Sequence, residues 1–256
     1  MHNAEEPRFY QAPPDALQGR VIAVTGAGSG IGRAVALAAA AHGAQLVLIG
    51  RNIKRLEGVH AEIGALRRAE ASIAPLDLER ALASDYDALA AALLQRYGQL
   101  DGLLHNAALL GALAPIEHAD LPGWCRVLHV NLTAACALTQ VLLPALRASA
   151  DASLVFTSSS VGRRGRANWG AYAVSKFGVE GLSQVLAEEL QGSSVRVNAI
   201  NPGATRTTLR RQAYPGENAE TLATPESIVN AYLWLLGPAS RGISGLSLDC
   251  QAPRRP

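Results

Sequence analysis

The chain has 256 residues, 49% hydrophobic and 17% charged, the composition of an ordinary globular protein with room for one large α/β core or two small domains. Its formal charge of +2 comes from basic residues spread along the chain, so nucleic acid is not an expected partner. Cys125, Cys136 and Cys250 form no C-x-x-C pair and the six histidines show no ligand spacing, so neither a disulfide framework nor a metal site is indicated and a reducing cytoplasm fits best.

Residues 1–19 carry early acidic residues and no apolar targeting core, and read as an N-terminal extension. No later run is expected to reach the length of a membrane span, so no membrane partner is expected. From residue 20 to 256, short apolar runs alternate with longer segments of helical period. The runs are VIAVT (21–25), QLVLIG (45–50), ASIAPLD (71–77), LDGLLHNA (100–107), SLVFTSS (153–159), VRVNAIN (195–201) and GLSLD (245–249). The longest helices are expected at 122–149 and 170–191. Continuous rather than alternating apolar runs imply strands covered on both faces. The expected fold is therefore α/β: one doubly wound, Rossmann-like domain with a mostly parallel seven-stranded sheet and helices on both faces. Ligands of such sheets bind beyond the carboxyl ends of the strands.

The first strand runs into Thr25-Gly26-Ala27-Gly28-Ser29-Gly30-Ile31-Gly32 and then an alanine-rich helix. Glycines allow a tight turn and close approach of a pyrophosphate, and the free N–H groups of a helix start favour negative charge. The spacing is G-x-x-x-G-x-G, neither G-x-G-x-x-G nor a P-loop. A site for NAD places a carboxylate about 20 residues further on, and a site for NADP an arginine. No carboxylate lies between Gly32 and Glu57, and the second strand ends in Arg51, so NADP(H) is expected in preference to NAD(H).

Lys54 and Lys176 are the only lysines among 23 basic residues, and Lys176 stands four residues after Tyr172. At that spacing on a helix the two share a face, and the ammonium is expected to lower the phenol pKa toward neutrality. Thirteen residues before Tyr172, Ser159 ends an apolar strand, where a hydroxyl could hold a substrate oxygen.

These residues together resemble the short-chain dehydrogenase/reductase family over nearly the whole chain. Its T-G-x-x-x-G-x-G matches Thr25 to Gly32, its S-x12-Y-x-x-x-K matches Ser159, Tyr172 and Lys176, its helix asparagine matches Asn131, and its P-G-x-x-x-T matches Pro202 to Thr207. The stretches LLHNAALLG, SLVFTSSSVGRRGRANWGAYAVSKF and INPGATRT are similar to the YciK-type oxidoreductases of bacteria.

The resemblance implies that Tyr172 is the acid/base, Ser159 polarises the substrate oxygen, and Lys176 lowers the Tyr172 pKa and grips the nicotinamide ribose. It implies that Asn131 holds a water linking Lys176 to solvent. For the cofactor it implies Gly26, Gly28, Ser29, Gly30, Ile31 and Gly32 at the turn, Arg51 at the ribose, and Asp77 and Leu78 at the adenine. Asn106 and Ala107 would lie along the cofactor backbone, and Pro202, Gly203, Thr205 and Thr207 at the nicotinamide amide. The implied substrate is a small carbonyl compound or secondary alcohol, and the implied assembly a homodimer or homotetramer through the two long helices. A non-catalytic dinucleotide-binding sensor or scaffold is the alternative. Epimerisation of a sugar nucleotide would call for a larger substrate domain.

The family's N-N-A-G appears as His105-Asn106-Ala107-Ala108, where a positive φ at Ala108 would strain the turn, and the end of the last strand reads LDCQAPRRP instead of being glycine-rich. Arg163, Arg164 and Arg166 could draw an anionic substrate to the pocket mouth, although a solvated loop or a subunit contact accounts for them better. Trp169 is expected to line the pocket or to pack. The polar segment 208–224, with Pro215 and Gly216, reads as a lid.

Overall fold

A computed structural model describes residues 6–252. Seven strands, β1 (Val21–Thr25), β2 (Gln45–Gly50), β3 (Ala71–Pro75), β4 (Gly102–His105), β5 (Ala152–Thr157), β6 (Val195–Asn201) and β7 (Ser247–Asp249), form one sheet in the order β3-β2-β1-β4-β5-β6-β7. Every pairing is parallel. The expected runs each contain a strand, but those at 71–77, 100–107 and 153–159 leave the ladder early at their carboxyl ends. The residues shed there, among them Asp77, Asn106, Ser158 and Ser159, all line the main cleft.

Side chains alternate across a strand, and the sheet sorts them into two cores. Ile22, Val24, Leu46 and Leu48 pack beneath helices α2 (Gly30–Ala41), α3 (Ile53–Leu66) and α9 (Val229–Leu236), where Tyr232 and Leu235 are fully buried. Val21, Ala23, Val47 and Ile49 pack on the other face with α4 (Ala83–Tyr97), α6 (Ala134–Ala148) and α7 (Gly170–Glu189). This double coverage is why the strands read as unbroken apolar runs. Helix ends follow local chemistry: Asn52 caps α3 by accepting from the Arg55 N–H at 3.1 Å, and α4 stops at Gly98, whose φ is 72°. In the extension, helix α1 (Glu6–Phe9) lies against α9 and Leu17 is fully buried; residues 1–5 lie outside the described residues.

Two long helices appear where expected, the first as α5 (Leu121–Leu128) joined to α6 by a π-helical turn, His129–Thr133. Among the described residues this stretch, Leu121–Ala148, is 28 residues long and apolar enough to cross a membrane, which corrects the expectation that no run reaches that length. Its apolar character has a packing cause: Leu138, Leu142, Ala145 and Leu146 are buried in the core beneath the sheet.

Candidate active site

In the strand order, the connections run one way from β1 to β3 and the other way from β4 to β7, so a crevice opens at the carboxyl ends of β1 and β4. A cleft of about 370 Å³ occupies it. The Thr25 hydroxyl ties its two sides together: it accepts from the Asn106 N–H at 2.9 Å and the Ala107 N–H at 3.1 Å, and donates to the Leu104 carbonyl at 3.3 Å.

At one end lies the glycine turn. Gly26 and Gly30 have φ of +67° and +55°, a region costly for other residues, and a Cβ on Gly32 would come within 2.4 Å of the Gly26 carbonyl oxygen. Helix α2 begins beside it at Gly30; Ser29 makes no side-chain cap and the first turn holds no acid, so the leading N–H groups are left for an anion. Arg51, at the end of β2, is more than half exposed and lies 3.7 Å from Glu79, which Arg126 grips from the other side at 2.8 Å. Arg55, on the first turn of α3, also lines the cleft. An uncapped helix start behind glycines, with guanidinium groups at the tip of β2, fits a dinucleotide bearing an extra phosphate.

At the other end stand Ser159, Tyr172 and Lys176. Ser159 follows β5 with extended backbone, and Tyr172 and Lys176 sit one turn apart on α7. The Ser159 side chain stands close enough to the Tyr172 phenol to act on it, and its Oγ accepts from the Val161 N–H at 3.4 Å. The Lys176 ammonium donates to the Thr157 carbonyl at 2.7 Å and lies 5.7 Å from the centre of the Tyr172 ring. Burial pushes the Tyr172 phenol up to about 12, opposed by the Ser159 side chain. The sequence reading expected the opposite direction; the lysine points to a carbonyl while desolvation disfavours the phenolate. Lys176 is itself brought down to about 8 by burial, opposed by the Glu180 carboxylate one turn further along α7.

Glu180 is a residue the sequence reading missed, although its spacing from Lys176 was a usable signal. It is buried, and accepts from the Ser158 hydroxyl and from Arg163 Nε at 3.3 Å. Because the carboxylate raises the lysine pKa, Glu180→Gln should move the alkaline loss of activity toward neutral pH. A pH–rate profile checks this, and coincident profiles for the two proteins would contradict it. Gln251 was also missed, and no local pattern marks it. Its amide nitrogen donates to the Pro202 carbonyl at 2.7 Å and to the Ala204 carbonyl at 3.3 Å, bracing the turn in which Gly203 has φ +72°.

Gly26, Gly28, Ser29, Gly30, Ile31, Arg51, Asp77, Leu78, Asn106, Ala107, Pro202, Gly203, Thr205 and Thr207 all line the cleft with Ser159, Tyr172 and Lys176. Gly32 and Asn131 do not. Gly32 packs the helix onto the turn behind it. Asn131, in the π turn, accepts from the Leu109 N–H at 2.7 Å and donates to the Leu109 carbonyl at 2.9 Å and to Ser175 Oγ at 3.0 Å. Among the described residues only Arg67 and Asn168 have positive φ outside glycine, so Ala108 in place of the family glycine carries no strain.

None of Arg163, Arg164 and Arg166 lines the cleft. Arg163 pins its loop to β7 through Ser247 Oγ (2.9 Å), Asp249 Oδ2 (2.9 Å) and the Leu248 carbonyl (2.8 Å). Arg166 bonds the Tyr214 hydroxyl and lies over the rings of Trp169 and Tyr214. Trp169 both lines the cleft and packs, edge-on to Tyr172 at 5.8 Å. The segment expected as a lid contains a short helix, α8 (Thr208–Ala213), capped by Thr207, and Arg210 bonds Glu217 through two nitrogens at 2.6 and 2.7 Å.

Residues 20–218 match the family model described as short chain dehydrogenase. The chain belongs to the short chain dehydrogenase family. It is 47% identical over 247 residues to an uncharacterized oxidoreductase, YciK, of Escherichia coli (strain K12), covering 96% of this chain and 98% of that one. A solved short chain dehydrogenase from Pseudomonas syringae superposes with a TM-score of 0.93 at 53% identity, over 94% of this chain and 98% of the other. A short chain dehydrogenase from Shigella flexneri 2a, solved in complex with NADP, has a TM-score of 0.90 at 47% identity, over 93% and 100% of the two chains. The family's chemistry makes this chain an NAD(P)-dependent oxidoreductase acting on CH–OH groups.

Proposed function

We propose that this member of the short chain dehydrogenase family uses NADP(H) in preference to NAD(H) to interconvert a small-molecule ketone and its secondary alcohol, with Tyr172 as the acid/base. The observation that carries the reading is the pairing of Tyr172 with Ser159 beside Lys176, on the wall of a cleft that holds Arg51 and an uncapped helix start. The NADP complex of the Shigella flexneri relative supports the choice of cofactor.

The cofactor, when bound, supplies or accepts the hydride. Ser159 orients the substrate oxygen toward the phenol. In reduction Tyr172 Oη gives its proton to that oxygen, and in oxidation it takes the proton back. Lys176 offsets the charge left on the phenolate, and Asn131 acts from behind by holding the Leu109 backbone in place. The 208–224 segment covers the substrate side as a lid. The cytoplasm is the proposed compartment. A homodimer or homotetramer would bury the exposed Val174, Phe177 and Val185 of α7.

Cofactor titrations test the role of Arg51. A charge-assisted hydrogen bond contributes about 1.5–3 kcal/mol, so Arg51→Ala should weaken NADPH binding by roughly 10- to 100-fold and leave NADH nearly unchanged. Equal affinities of the unaltered protein for the two cofactors would remove the preference.

A further inference from the structure

A second cavity, of about 350 Å³, adjoins the catalytic cleft. The two chambers share their framework. Leu109 lines both. Gly170 and Ala171 line the second cavity, and the next residue, Tyr172, lines the first. Helix α8 spans both, with Leu209 and Ala213 on the cleft and Gln212 on the second cavity.

The walls of the second cavity are apolar, built around Leu110, Ile116, Trp124 and Val127. Ile116 and Trp124 rest directly on the start of α7: a Cβ on Gly170 would come within 2.8 Å of Ile116 Cδ1 and 2.9 Å of Trp124 Cζ3. The ionic groups at the edge are already engaged. Asp120 caps α5 by accepting from the Gly123 N–H at 2.8 Å, and Arg126 is bound to Glu79. On the substrate side of the cleft, Arg210 is held by Glu217, and Arg166 is placed against Trp169 and Tyr214. An anionic substrate would have to break these pairs, whereas an uncharged chain would displace only water from apolar walls.

We propose that the substrate is an uncharged ketone or secondary alcohol with an extended apolar tail, its oxygen at Ser159 and Tyr172 and its tail in the chamber bounded by Leu110, Ile116, Trp124 and Val127. This rests on the oxidoreductase reading of the cleft. Burying a methylene contributes about 0.8 kcal/mol, which corresponds to roughly fourfold in kcat/KM per added methylene until the chamber is full.

The test follows NADPH consumption with a series of linear 2-alkanones from 2-butanone to 2-dodecanone, in the unaltered protein and in Ala114→Phe, which places a ring in the second cavity. The expected result is a steep rise of kcat/KM with chain length that Ala114→Phe flattens, with 2-butanone turned over equally by both proteins. A flat series in the unaltered protein, or a slope that survives Ala114→Phe, would overturn the proposal. Failure to reduce any ketone would count against the oxidoreductase reading instead. Binding then decides the chamber: 2-dodecanone should change tryptophan emission in the unaltered protein but much less in Trp124→Phe. No change in the unaltered protein, or the same change in both, overturns the assignment.

Discussion

Tyr172→Phe is expected to lower kcat for ketone reduction by about 10²- to 10⁴-fold, the contribution of a positioned acid, while NADPH binds within a few-fold of normal. The substitution removes one hydroxyl from a buried ring and leaves the Trp169 contact and the Lys176 bond to Thr157 in place. Single-turnover kinetics with NADPH already bound would isolate the chemical step; a variant with more than a tenth of the normal rate would remove Tyr172 as the acid. The two directions should also respond differently to pH. Burial holds the phenol protonated well into the alkaline range, so the acid form is available to reduction throughout neutrality. In the proposed mechanism oxidation uses the phenolate, so its rate should climb with pH until Lys176 loses its proton. The same raised pKa makes Tyr172 favour the folded state below the unfolded value near 10, an advantage lost as pH rises through about 12.

Asp151→Ala is expected to be the most damaging change to stability. Asp151 precedes β5 at the amino ends of the strands, opposite the cleft, where its carboxylate meets Arg196 at 3.1 Å and Arg20 and Arg241 at 3.3 Å each. Burial alone would raise this carboxyl, but Arg196, Arg20 and Arg241 together overcome it and hold it below the usual range. Removing the carboxylate leaves Arg196 and Arg20 with little solvent and no counter-charge at this position, a loss of about 3–5 kcal/mol. For a chain of this size that corresponds to a fall in Tm on the order of 10 °C. The lowered pKa means the stabilisation is present above the unfolded carboxylate value and declines as pH falls through the folded one. Urea melts at pH 7 and in acid should therefore show the gap between the two proteins narrowing in acid; equal midpoints at pH 7 would rule out this account. Activity per folded molecule should persist, because the cleft lies at the other ends of the strands.

The parts of this protein that could be read from the sequence are those whose cause is local. Val21–Thr25 and Gln45–Gly50 form strands over the residues expected, because each is a largely apolar run followed by a turn of glycine or polar residues. The glycine turn declares itself because a positive φ at Gly26 and Gly30 demands that residue type. The Tyr172–Lys176 pair was visible because one helical turn separates them. What stayed hidden depends on contacts across long stretches of chain. Arg163 read best as part of a solvated loop or a subunit contact, and its partners on β7 lie more than eighty positions away. Gln251 braces a turn nearly fifty positions earlier. The pKa of Tyr172 was misjudged for a related reason: the i to i+4 spacing shows that an ammonium is near, but not that it donates a hydrogen bond to the Thr157 carbonyl or that the ring is enclosed.

The single hydroxyl of Thr25 has a bearing on assembly order. It meets Asn106 and Ala107 only after β4 has docked beside β1, some eighty positions later in the chain. The nucleotide berth is thus a product of long-range closure and not a property of the opening strand–turn–helix. A fragment that stops before β4 would keep its glycines yet have only one bank of the channel, so cofactor capture should report on completed folding of the sheet's centre.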